Sequence, residues 1–247
     1  MKRNILFFIK FFTEEIYADQ FVAGELYLNT LSFFKRIEKE GSDGRFDSTE
    51  AVATWWQPDD ILIKLNAPGI GSAEISRKDL AAPVSTSIGA QDYVHVFCLY
   101  AVHMTGFELL ENGKVKFFEK GADELRQQLR IDERCFKFGK FAVVISAVPF
   151  IKKLREALTS QGHKFKDKLV RYYDDTVFHG TIPTSEVPFR KQKRFSYQQE
   201  YRVCVYPTVM HDSPITIKIG NISSMCSKVV SSQQLSNFLT VTEPASM

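Results

Sequence analysis

The chain has 247 residues, 44% hydrophobic and 25% charged, which excludes a wholly disordered protein and leaves room for one large domain or two small ones. Its net charge of +3 permits a nucleic-acid partner without requiring one. The 21 phenylalanines are too many for a surface to carry, so most of them must be core.

The first predicted element is a strand over residues 5–12 (ILFFIKFF). A signal peptide is not expected there, because the run is short, Lys10 interrupts it and no small-residue cleavage site follows. A helix follows, with Thr13 as its N-cap, acids in its first turn and Gly24 at its end. ELYLNTL (25–31) alternates as a strand, SFFKRIEKE (32–40) reads as a second helix, and GSDGRFDSTEA is polar and turn-rich. DILIKL (60–65) is strand-like, NAPGIGS a turn, and AEISRKDLAAPVSTSIG an irregular loop. YVHVFCLYAV (93–102) is a buried strand by its β-branched and aromatic content. KVKFFE continues the β character and GADELRQQLRI (121–131) reads as a helix. KFAVVISAV (140–148) is a near-continuous apolar run, hence a central strand. Residues 149–162 form a helix that opens on Pro149 and closes on Gly162. VRYYDD is β-like and leads into a loop up to residue 189. YQQEYRVCVY and PITIKIG (214–220) are the last strands, and SSQQLSNFL (231–239) is a short helix. Strands outnumber helices and do not alternate cleanly with them, so the expected class is α+β. No linker divides the chain, which predicts one domain over residues 1–240 and a tail at 241–247.

Several chemistries lack their sequence patterns. APGIGSAE is not a phosphate loop, and no G-x-S-x-G elbow occurs. The five histidines form no i, i+4 pair, and the four cysteines form no C-x-x-C pair, so no metal site is expected. Cys98 and Cys204 sit in apolar runs as free thiols. This usage points to a reducing compartment. With no stretch near the roughly 20 apolar residues of a membrane span, it predicts a cytoplasmic protein.

The most informative stretch is RFSYQQEYRVCVY (194–206). Strand alternation puts Gln198, Glu200 and Arg202 on one face and Tyr197, Tyr201, Val203 and Val205 on the other. The polar face is either a solvated one or a carboxylate aimed into a cleft. The run just before it, FRKQKRFSY, concentrates Arg190, Lys191, Lys193 and Arg194 without an acid.

Taken together, three segments carry a resemblance. These are the strand ending Ile9-Lys10-Phe11-Phe12 with its following Gly24-Glu25-Leu26-Tyr27, the R-x-D-x-x-E pattern of Arg45, Asp47 and Glu50, and the K-x-x-x-Y-x-x-E-Y-R run from Lys193 to Arg202. With Phe97-Cys98-Leu99 between them, the layout resembles a large family of uncharacterised bacterial domains. That family is similar in organisation to the ADP-ribosyltransferase fold, including toxins that modify DNA bases. The resemblance implies a split, largely antiparallel sheet with flanking helices and NAD as co-substrate, without a metal. It implies Glu200 as the catalytic carboxylate, with Gln198 before it in Q-x-E.

On the same grounds the NAD contacts would be Lys10 and Phe12 on the first strand, Asn29, Thr30 or Ser32 in the middle, and Arg45 and Arg202. Lys10 departs from the His or Arg of the superfamily's first strand. Arg190, Lys191, Lys193, Arg194, Asp47 and Glu50 would contact the acceptor, with RNA or DNA favoured because of the basic run. The expected biology is a bacterial toxin or phage-defence effector, with an antitoxin protein as partner. Two other readings stand beside this one. One is a non-catalytic nucleotide- or nucleic-acid-binding domain of the same fold. The other is a metal-dependent nuclease using Asp47, Glu50 and Glu200, whose spacing fits no known pattern.

Overall fold

A computed structural model describes residues 4–38, 49–69, 71–109, 115–117 and 122–237. Alternating apolar residues build one eight-stranded sheet. Its strands are β1 (Asn4–Phe12), β2 (Glu25–Thr30), β3 (His95–Met104), β4 (Phe141–Ser146), β5 (Lys164–Leu169), β6 (Glu200–Tyr206), β7 (Ile215–Lys218) and β8 (Val230–Ser231). The order is β5-β6-β3-β1-β4-β8, with β2 joined to both β3 and β7, and every pairing is antiparallel. The chain is α+β, as the order of its predicted strands and helices implies.

The sheet forks along one edge of β3. Tyr100 to Met104 pair with β1, whereas His95 and Val96 pair with β2. Among the described residues no strand covers Phe97 to Leu99 on that edge, although β6 runs unbroken along the other. Lys10 partly replaces the missing strand: its Nζ donates to the Cys98 carbonyl at 2.9 Å and lies 4.3 Å from the centre of the Phe97 ring.

One face of the sheet carries Phe8, Phe97, Leu99, Val143, Tyr201 and Val203 and packs on α1 (Glu15–Val22) and α4 (Ala147–Ser160) through Phe21, Phe150 and Leu154. The opposite face is divided. Ile9, Tyr100 and Val144 form one apolar patch with Cys135, and Val96 and Cys204 form another with Leu31, Val187 and Phe189. Ladder partners share a face, so Tyr100 with Glu200, Cys98 with Arg202 and Val96 with Cys204 make three consecutive rows. The two charged residues, Glu200 and Arg202, therefore stand in adjacent rows beside the apolar Val96 and Cys204 row.

Local chemistry explains several departures from the expected elements. Glu14, not Thr13, precedes α1, and no side chain caps that helix. Residues 73–89, expected as an irregular loop, are not one. Strands Gly71–Ile75 and Val84–Ser87 flank a 3-10 turn in which Ser76 and Asp79 form a capping box. β5 was not expected, because HKFKDKL reads as polar. It is an edge strand, where exposed lysines discourage pairing with a second chain. Tyr197 and Gln198, expected to open a strand, belong instead to a 3-10 turn over Lys193–Gln198, and the short helix expected at 231–239 is a 3-10 helix over Ser232–Asn237. The helix expected at 32–40 is α2 (Leu31–Glu38), and that at 121–131 is α3 (Ala122–Leu129). Gly24, which immediately precedes β2, has φ +98°, and a Cβ there would sit 2.2 Å from the Gly220 carbonyl oxygen. No helix among the described residues is long and apolar enough to cross a membrane. All four cysteines are free. Residues 241–247 lie outside the described residues.

Candidate functional site

Glu200 is the first residue of β6. The chain reaches it through Gln199, whose φ of +38° turns the backbone out of the 3-10 segment. Glu200 is only 4% exposed and Arg202 only 1%. Arg202 Nε donates to Glu200 Oε1 at 2.6 Å, and Lys191 Nζ stands 2.9 Å from Glu200 Oε2. On the far side of Arg202, Glu50 accepts both ends of the guanidinium fork, at 2.8 and 2.9 Å. Lys191 also reaches Glu50 at 3.3 Å and donates to Gln198 Oε1 at 2.9 Å, while Arg202 Nη1 donates to the Pro188 carbonyl at 2.7 Å. Two carboxylates and two cations thus form a buried network of zero net charge. Such a network survives desolvation only with this degree of pairing.

Lys191 reaches the network from a short parallel ribbon, Arg171–Tyr173 beside Arg190–Gln192. Alternation sends Lys191 and Tyr172 to the same face, where the Tyr172 hydroxyl accepts the Glu200 backbone N–H at 2.9 Å. Burial alone would raise the Glu200 pKa. Arg202 and Lys191, with hydrogen bonds from Arg202 and Cys98, outweigh it and hold the carboxyl well below the usual carboxylate range. Glu200 is an anion at neutral pH. Burial, reinforced by the Glu200 charge, pushes the Cys98 thiol up to about 12.

Beside this network a cavity of about 760 Å³ opens at the fork in the sheet, within the ~300–1,000 Å³ range of small-molecule sites. Lys10, Cys98, Gln198, Glu200 and Arg202 supply its polar wall, and Phe12, Phe33, Phe34 and Tyr100 much of the apolar one. Tyr17 and Tyr27 also line it, although they are 52% and 58% exposed, which places them at its mouth. A carboxylate offers about four acceptor positions. Arg202 and Lys191 use one on each oxygen of Glu200 and Cys98 takes a third, so one remains for a ligand hydroxyl.

Of the residues singled out in the sequence, Lys10, Phe12, Asn29, Glu50, Lys191, Gln198, Glu200 and Arg202 meet at this cavity. Others need correction. Gln198 does not lie on the Glu200 strand; it ends the preceding 3-10 turn, and Lys191 draws it into the cluster. Thr30 and Ser32 do not line the cavity, because both hydroxyls bind Asp212, which also pairs with Arg36. Glu50, expected to contact the acceptor, is only 1% exposed and is held inside the network by Arg202. The basic run is not one continuous track: Lys191 is buried in the network and Lys193 pairs with Asp174 at 3.0 Å. Arg190 and Arg194 line no part of the cavity. Arg45 and Asp47 lie outside the described residues.

Sequence reasoning missed the role of Lys191 inside the network and the place of Cys98 on the cavity wall, and it read Phe33 and Phe34 as mainly core, with a ring facing nicotinamide as the alternative. The alternating apolar pattern around Cys98 was the one signal available for it. Among the described residues no group of three or more His, Cys, Asp and Glu side chains is placed to hold a metal ion. No family model matches the chain, and no curated protein or solved structure shows significant similarity to it.

Proposed function

We propose that the protein is an ADP-ribosyltransferase that uses NAD as co-substrate, with Glu200 as its catalytic carboxylate and a nucleic acid as acceptor. The observation that carries this reading is the placement of a buried Glu200, held anionic at neutral pH, on the wall of a dinucleotide-sized cavity at the fork of the sheet. In such a transfer the bond between nicotinamide and ribose breaks, its electron pair leaves with nicotinamide, and the acceptor forms the new bond and gives up its proton. Positive charge develops on the ribose, and an adjacent carboxylate stabilises it. Glu200 suits that task because it stays charged. Arg202 and Lys191 fix it from two sides, and the rings around the cavity offer flat faces for nicotinamide or adenine. Lys10 adds one cation on the cavity wall for a diphosphate. The organisation and the resemblance together favour a bacterial toxin or phage-defence effector, with a neutralising protein as partner.

A second reading rests on a specific observation: the resting network is neutral and fully paired, as in a structural ion cluster. In that case the cavity binds a nucleotide without turnover. Incubation with NAD labelled in the nicotinamide and in the adenine parts separates the two. Transfer releases nicotinamide and moves the adenine label to an acceptor, and Glu200→Gln abolishes both. Retention of intact NAD by the wild type would instead establish the binding module.

A further inference from the structure

The ribbon that delivers Lys191 to Glu200 has a second face. Arg171 and Arg190 are direct partners in its parallel ladder and point away from the network. Like charges placed directly opposite each other in a ladder are destabilising. One carboxylate, Glu186, answers them. Glu186 is drawn down in pKa by a hydrogen bond from Lys168, and by the charges of Lys168, Arg171 and Arg190. Yet its ion pair is with Lys168. Among the described residues neither arginine has a hydrogen-bonded or ion-paired partner, and the Arg190 Nε is buried without an acceptor. Three cations thus act on one carboxylate, and two of them are direct ladder neighbours.

The geometry points to a phosphodiester of a single-stranded nucleic acid seated between Arg171 and Arg190, with Lys168 supporting the charge. A phosphate takes paired N–H donors from adjacent guanidinium groups and removes the repulsion between them. The site lies on the reverse side of the residues that touch Glu200, so it would hold the acceptor strand one ribbon away from the transfer centre. Identifying the strand as the acceptor rests on the proposed transferase reading. Binding does not, and is measured without NAD.

The experiment is fluorescence anisotropy of a labelled single-stranded oligonucleotide titrated with the full chain over a salt series. Arg171→Gln with Arg190→Gln is expected to weaken binding roughly fivefold or more and to flatten the salt slope by about 1.4, or ~0.7 per lost single-strand contact. Lys193→Gln, which removes a cation already paired with Asp174, is expected to change affinity less than about twofold. The melting temperature of Arg171→Gln alone should hold or rise, because the substitution relieves the repulsion from Arg190 and breaks no hydrogen bond or ion pair, while Glu186 keeps its pairing with Lys168. Three results would overturn the proposal: no oligonucleotide binding by the wild type, equal binding and slope in the double variant, or displacement by an acidic peptide as effective as by unlabelled oligonucleotide. If the oligonucleotide binds as expected but no transfer from NAD occurs, the phosphate site stands and the transferase reading falls.

Discussion

Glu200→Gln tests the network by changing charge at almost constant volume. The wild-type cluster balances Glu50 and Glu200 against Lys191 and Arg202. Removing one carboxylate leaves a buried excess of one positive charge. Breaking a buried pair by deleting one partner costs ~3–5 kcal/mol. The glutamine oxygen can still accept from Arg202 Nε, and Glu50 still holds the guanidinium fork, so the low end, about 3 kcal/mol, applies. For a chain of this length that is roughly 6–12 °C in melting temperature. Thermal unfolding followed by circular dichroism at pH 7 measures it. The decisive comparison adds Lys191→Met, which removes a positive charge and leaves Glu50 and Arg202 as a neutral pair. The double variant is expected to recover at least ~1 kcal/mol relative to the sum of the single losses. A single variant as stable as the wild type, or strictly additive losses, would refute the view that these four side chains act as one charge-balanced unit.

Stability should also fall in acid in a defined window. The folded Glu200 carboxyl titrates below its unfolded value, which is ~4.3. Its contribution is therefore complete above that pH and is lost as pH falls below it, so urea midpoints measured between pH 7 and 2.5 should drop more steeply for wild type than for Glu200→Gln. Cys98, pushed up to about 12, should react slowly with iodoacetamide at pH 8 although it lines the cavity, and faster as the pH approaches 11. Gly24→Ala should destabilise the protein by several degrees in melting temperature, since its Cβ would meet the Gly220 backbone at 2.2 Å and its φ is +98°.

Much of the sheet can be read from the residues because its strands are apolar on at least one face. β3 and β4 are visible as β-branched and aromatic runs, and β1 stands out despite Lys10. β5 escapes because its charges suit an exposed edge, and the propensities of HKFKDKL say nothing about that position. Glu200 and Arg202 are legible through alternation alone. Gln198 reaches the same cluster by a different route, since Gln199 resets the phase of the chain. Glu50 carries a recognisable spacing, but its depth depends on Arg202, which lies 152 positions away in sequence. Lys191 looks like one more charge in a basic loop until the parallel ribbon with residues 171–173 turns it inward. Thr30 and Ser32 show the converse: their hydroxyls suit a ligand, yet Asp212 claims both.

The transferase reading is tested most directly by a crystal structure of the protein with a non-hydrolysable NAD analogue. The account predicts the nicotinamide ribose inside the fork of the sheet, its 2′-hydroxyl within ~2.6–3.2 Å of a Glu200 carboxylate oxygen, and Lys10 facing the diphosphate. An analogue bound elsewhere, or a cavity holding it with no ribose oxygen in reach of Glu200, would contradict it.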